Sequence, residues 1–239
     1  MKNKLIPTEN VKKAENVLNR LHTKDSSGLV LIYGETGNGK THYGFKKTFS
    51  SEWNYYRFRK VETPKSFLQQ VIKRLLKAYE GIESIPKGSA PTLEEMCIDL
   101  FIKMPKLTFV FDELNLVLDS KNFAIIEILR DFKDIADATI VMLGEESTRE
   151  QLKTYNNHFY NRCEFVRFNR CSSADTIQII KECSEVKFTR DVYEDIVQES
   201  KGNIREATKM IKEFELKARE KGLNQISLKD IDNVSTQEN

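Results

Sequence analysis

The sequence predicts an α/β chain, a parallel sheet covered by helices on both faces and followed by a small all-α lid. Three features predict it. Short apolar runs of strand length alternate with stretches of helical period over residues 1–170. A glycine-rich break joins the first of those runs to a helix. From about Cys171 onward only helical patterns remain, so residues 171–239 are expected as a separate lid subdomain.

The elements follow in order. Residues 11–21 read as a helix leading into Gly28-Leu29-Val30-Leu31-Ile32-Tyr33, an apolar run that suits a buried strand. A helix is expected from about Lys40, and residues 53–58 suit a second strand. Pro64, tolerated in a first turn, follows Thr63 and opens a helix in which Phe67, Val71, Leu75 and Leu76 recur at helical spacing. Gly81, Pro86, Gly88 and Pro91 mark a loop, after which Thr92-Leu93-Glu94-Glu95 has the form of a capping box. Residues 107–111 read as a strand ending on Asp112. One helix, over residues 123–132, is expected between it and a strand at 139–143. A short helix then precedes a last strand at 164–168.

Composition excludes several classes. The chain is 39% hydrophobic and 31% charged, which is ordinary for a packed domain. Formal net charge is only +2, so any nucleic-acid surface must be a local patch. Cys97, Cys163, Cys171 and Cys183 form no C-x-x-C pair and read as idle thiols. The start of the sequence has basic residues without an apolar stretch behind them, and the longest apolar runs are too short to span a bilayer. No membrane association and a cytoplasmic location are expected.

Gly34-Glu35-Thr36-Gly37-Asn38-Gly39-Lys40-Thr41 fits G-x-x-x-x-G-K-[ST], the phosphate-binding P-loop. Its glycines let backbone N–H groups wrap phosphates, and the following helix turns its positive end toward them. Lys40 supplies charge to the β- and γ-phosphates, and Thr41 can ligate Mg²⁺. Residues 107–111 deliver Asp112 to the Mg²⁺ shell, with Glu113 placed to polarise an attacking water. ATP and Mg²⁺ are therefore the expected cofactors.

Further motifs resemble the AAA+ ATPases. Asn161-Arg162-Cys163 resembles the Ser-Arg-Cys segment of clamp loaders, and the resemblance implies that Arg162 is an arginine finger acting in trans. Gly202-Asn203-Ile204-Arg205-Glu206-Ala207 resembles the sensor-two segment, which implies that Arg205 touches the γ-phosphate. Glu145 stands where sensor one is usually a polar residue. An acid there would be repelled by the γ-phosphate, so either Glu145 points elsewhere or water is positioned differently and hydrolysis is slow.

The order of elements is similar to that of transposition regulators of the Mu B and TnsC type: a short helix before the P-loop, Thr63-Pro64 and a long helix after strand two, Thr139-Ile140-Val141-Met142-Leu143-Gly144, and a small helix over residues 228–234. Mu B carries an N-terminal helix-turn-helix-like domain, and fewer than thirty residues precede the first strand in this sequence. This resemblance implies a homo-oligomeric ring or filament on double-stranded DNA that recruits a transposase, with hydrolysis dismantling it. Two alternatives remain: a loader or initiator-type ATPase acting on a protein ring, and a low-turnover nucleotide switch.

The candidate DNA surface is Arg57, Arg59, Lys60 and Lys65, with Arg57 and Arg59 expected on one strand face. Lys73, Arg74 and Lys77 form a weaker set. Trp53, Tyr55, Tyr56 and Phe58 suit strand packing better than base stacking.

Overall fold

The computed structural model describes residues 1–23, 28–50 and 52–232. The chain divides into two compact units. A sheet unit takes residues 13–36 and 40–168, and a helical unit takes Met1–Lys12, Gly37–Gly39 and the chain from Asn169 onward.

Helix α1 (Glu9–Thr23) leads to strand β1 (Leu29–Tyr33), helix α2 (Lys40–Lys47) and strand β2 (Trp53–Arg57). Helices α3 (Pro64–Glu80) and α4 (Ala90–Lys103) precede β3 (Thr108–Asp112), and α5 (Leu114–Asp119) and α6 (Phe123–Asp134) precede β4 (Thr139–Gly144). Short helices α7 (Thr148–Tyr155) and α8 (Asn157–Tyr160) lead to β5 (Cys163–Arg167).

These five strands are parallel in the order β2-β3-β4-β1-β5. Every residue of β1, β3 and β4 is buried, which explains their nearly continuous apolar sequence, because a central parallel strand is covered on both faces. The edge strands β2 and β5 are only partly covered. The register pairs Leu29 with Cys163 and Ile140, Tyr33 with Gly144, and Arg57 with Asp112. The ends of β1, β2, β3 and β4 that carry candidate site residues therefore lie along one edge of the sheet, where parallel α/β folds bind ligands.

The core beneath them is aromatic. Phe109 and Phe111 stack 4.6 Å apart, and Phe111 meets Phe58 and Phe67 at 5.8 and 5.6 Å. All four are buried, each contributing about 1.5–3 kcal/mol by removal from water. Trp53, Tyr56 and Phe58 are buried as strand packing requires.

The sheet unit differs from the sequence expectation in two helices. Helix α4 begins at Ala90 with Ser89 as its cap, not at Thr92; the Ser89 hydroxyl accepts from the Thr92 N–H at 3.4 Å. Pro91 fits the first turn, so the helix starts one turn earlier. Two helices, not one, follow Asp112-Glu113, because Lys121 takes a left-handed conformation (φ 54°) that ends α5.

The helical unit holds α9 (Ser173–Cys183), β6 (Lys187–Phe188), α10 (Arg190–Ser200), α11 (Ile204–Glu220), β7 (Gln225–Ile226) and α12 (Lys229–Asp232). Its β6–β7 ladder interrupts the helices-only expectation; two-residue strands leave no periodicity to read. The last two positions of the small helix expected over 228–234 lie outside the described residues. Ile6 joins Ile179, Ile180, Val192, Ile196, Ile211 and Phe214 in this unit's core. Asn10 donates to the Asn169 carbonyl at 2.7 Å and accepts from the Asn169 N–H at 3.0 Å. Among the described residues, no helix is long and apolar enough to cross a membrane.

Candidate nucleotide site and basic surface

Loop 34–41 follows β1 and opens α2. A Cβ on Gly34 would lie 2.2 Å from the Phe168 carbonyl oxygen, so only glycine lets the chain leave β1 at this point. Gly37 has φ 92°, and a Cβ there would lie 2.3 Å from Asn203 Oδ1 within the helical unit. The Lys40 ammonium donates to the Gly34 and Glu35 carbonyls at 2.7 and 2.9 Å, folding the lysine back over its own loop. Burial holds its pKa below the ordinary lysine value, opposed by the negative field of Asp112, Glu145, Glu113 and Glu146. Glu35, Thr36 and Thr41 are exposed, and Asn38 is buried.

At the end of β3, Asp112 is 3% exposed. The Tyr55 hydroxyl donates to its Oδ2 at 2.7 Å, the Glu113 N–H donates to its Oδ1 at 2.9 Å, and the Thr41 hydroxyl is also hydrogen-bonded to it. Burial raises the Asp112 pKa, and these hydrogen bonds oppose the rise. Thr41 and Asp112 thus come together although 71 positions apart (112 − 41). A buried carboxylate beside a hydroxyl at the mouth of a P-loop fits a Mg²⁺ site, and these are the two side chains that could hold the ion. Tyr55 was not among the site residues read from the sequence, because a tyrosine in an aromatic strand carries no signal that its hydroxyl is aimed at a carboxylate.

Glu113 has a left-handed backbone (φ 64°) and directly precedes α5. Its carboxylate is paired with the Arg57 guanidinium at 2.8 Å. That pairing draws Arg57, expected at a DNA surface, toward the residue expected as general base.

The remaining candidates are spread out. Glu145 is exposed just beyond β4, its carbonyl accepting from the Thr148 N–H at 3.1 Å, and Glu146 pairs with Arg167 at 2.8 Å. Arg162 is half exposed and pairs with Asp134 at the end of α6. It directly precedes β5, whose first residue pairs with the first residue of β1. Arg162 therefore sits at the opposite edge of the sheet from Gly34, about 16 Å away over five residues of strand. Arg205 lies in the first turn of α11, capped by Asn203; its N–H donates to Asn203 Oδ1 and to the Gly37 carbonyl at 3.0 and 3.1 Å.

The basic segment after β2 divides. Strand β2 ends at Arg57, so Arg59 does not alternate with it on a strand face; it lies in the following loop. Arg59, Lys60 and Lys65 are exposed, and none of their side chains makes a hydrogen bond or ion pair among the described residues. In the weaker set, Arg74 donates to the Tyr55 carbonyl at 3.0 Å and lies over the Tyr56 ring, and Lys77 pairs with Glu83. Both are committed to intramolecular contacts.

Comparison with solved structures finds the same fold. The ORC2 protein of Aeropyrum pernix, in ADPNP–ADP complexes, is 15% identical with a TM-score of 0.73, over 99% of this chain and 70% of that one. The chain has the AAA+ P-loop NTPase fold. The A. pernix ORC1 protein in complex with DNA is 12% identical with a TM-score of 0.70, over 98% and 66% of the two chains. AMPPCP-bound DnaA from Aquifex aeolicus is 18% identical with a TM-score of 0.61, over 90% and 65%. The chain thus spans about two thirds of the length of each of these proteins. No protein-family model matches the sequence, and no curated protein does.

Proposed function

We propose that the chain binds and hydrolyses ATP with Mg²⁺, self-assembles so that Arg162 of one copy completes the site of the next, and acts on double-stranded DNA as an initiator- or loader-type ATPase. The observation that carries the nucleotide part is the hydrogen bond between Thr41 and Asp112, which joins the P-loop to the acidic end of β3. Lys40 then neutralises phosphate charge, Thr41 and Asp112 hold Mg²⁺, and Glu113 takes the proton of the attacking water. Nucleotide-bound relatives in the same fold support this.

Assembly rests on Arg162. It lies a full strand length from the P-loop of its own subunit, farther than an arginine side chain reaches, so a role for it in hydrolysis requires a second copy. A DNA substrate is supported by the DNA complex of the A. pernix ORC1 protein and by the three unpaired cations after β2. The similar structures support an initiator or loader at least as well as a transposition regulator. The transposase partner rests on element order alone, and the second helix after Asp112-Glu113 weakens that order.

Electron microscopy and analytical sedimentation with duplex DNA, in ATP, ADP and no nucleotide, test the proposal. ATP-dependent self-association with DNA bound supports it. Continuous filaments on bare duplex would move the weight to the transposition reading. A chain that stays monomeric in ATP would sink the role of Arg162 in trans.

A further inference from the structure

The loop between α5 and α6 brings a cation to the basic surface that the sequence does not group with it. Glu62 is the fastening. Its carboxylate accepts from the Tyr56 and Ser66 hydroxyls, and its carbonyl accepts from Asn122 Nδ2 at 2.7 Å. Three bonds thus fix loop 58–63 to β2, to the start of α3 and to the α5–α6 loop. Lys121, next to Asn122, is thereby carried on a loop tied to the segment that bears Arg59 and Lys60.

Three features suggest that this surface meets a polyanion. Lys121, like the other three, is exposed, and its side chain makes no hydrogen bond or ion pair among the described residues. The carboxylates of the two tied loops are engaged with other groups, Glu62 as above and Asp119, at the end of α5, with Gln151 at 2.9 Å. At the tip between the cations, Val61 is 88% exposed, an apolar group available to a sugar edge.

We infer that Arg59, Lys60, Lys65 and Lys121 form one phosphate-binding surface for duplex DNA, with Lys121 delivered to it by the Asn122–Glu62 hydrogen bond. This extends the DNA reading proposed above and rests on it. Contacts of this kind are insensitive to base sequence and strongly salt-dependent. Asn122 is a positioning residue, acting through the loop it ties.

Fluorescence anisotropy of labelled duplexes with ATP bound, over a range of salt, tests the inference. Lys121→Gly removes the charge at no backbone cost. It is expected to lower the salt slope by about 0.9 and to weaken binding about eightfold at 0.1 M salt, equally for unrelated sequences. Lys121→Arg is expected to bind as the wild type does, and Asn122→Ala to weaken binding with nucleotide affinity unchanged. If Lys121→Gly keeps the wild-type slope and affinity while Lys60→Ala loses both, the surface stops at loop 58–63 and the inference is wrong. If the wild type binds no duplex in any nucleotide state, the underlying DNA reading fails with it. Melting temperatures of each variant separate lost contact from lost fold.

Discussion

The loop after β1 and the segment after β2 both carry cations to the same edge of the sheet, yet they hold them differently. Lys40 is bound by the carbonyls of its own loop, a contact set by six residues of local sequence. After β2, neighbouring cations meet different fates: Arg57 pairs with Glu113, Arg74 lies over Tyr56, and Arg59, Lys60 and Lys65 pair with nothing described. A cation in a backbone motif has its partner specified locally. A cation in a charge run is assigned by whatever the tertiary fold brings near it, so like residues a few positions apart can have unlike roles.

The strongest way to break this comparison is to attack the local motif and its acidic neighbour. Glu113→Gln is expected to slow hydrolysis by about 10²–10⁴-fold, the usual worth of a general base, while nucleotide still binds. Single-turnover kinetics check this, and an unchanged rate would remove Glu113 from that role. Lys40→Ala is expected to weaken ATP binding at least about a hundredfold, since charge-assisted hydrogen bonds contribute about 1.5–3 kcal/mol each. Calorimetric titration measures it, and near-normal affinity would mean that the loop holds no phosphate.

Two smaller effects sharpen the contrast. Arg57→Ala should act on hydrolysis and Lys60→Ala on DNA. Loss of a partly exposed ion pair worth about 0.2–1 kcal/mol frees Glu113 and raises DNA-free turnover by up to about fivefold. Lys60→Ala leaves turnover unchanged and weakens duplex binding about eightfold at 0.1 M salt. The reverse pattern in turnover and anisotropy assays would return Arg57 to the DNA surface.

The smallest expected effect concerns pH. Tyr55 donates to Asp112 and opposes the rise that burial imposes on its pKa. In Tyr55→Phe the carboxyl keeps its proton to higher pH, so Mg²⁺-dependent nucleotide binding should fail at a higher pH on acidification than in the wild type. The stability sign is opposite to that of a salt-bridged aspartate. The folded state binds the proton more tightly, so Asp112's contribution falls as pH rises from its unfolded pKa to its higher folded one. Titrations of Mg²⁺-dependent binding across pH test the shift, and coincident curves would show that the hydroxyl does not tune the carboxyl.

By itself the sequence determined the alternation of strands and helices, the buried character of β1, β3 and β4, and the eight-residue loop at 34–41. Each is encoded in adjacent residues, through apolar runs, helical period and glycine placement, and needs no distant partner to be recognised. Only the tertiary structure decided the insertion of β4 between β1 and β3, the meeting of Thr41 with Asp112, the aim of the Tyr55 hydroxyl, and the pairing of Arg57 with Glu113. It also decided that Lys121 lies beside a loop some sixty positions earlier in the chain (122 − 62 = 60 for the bonded pair). The physical reason is common to all of these. A side chain's partner depends on which strands and loops the parallel crossovers set next to one another, and that adjacency is a property of the packed sheet rather than of any local run of residues.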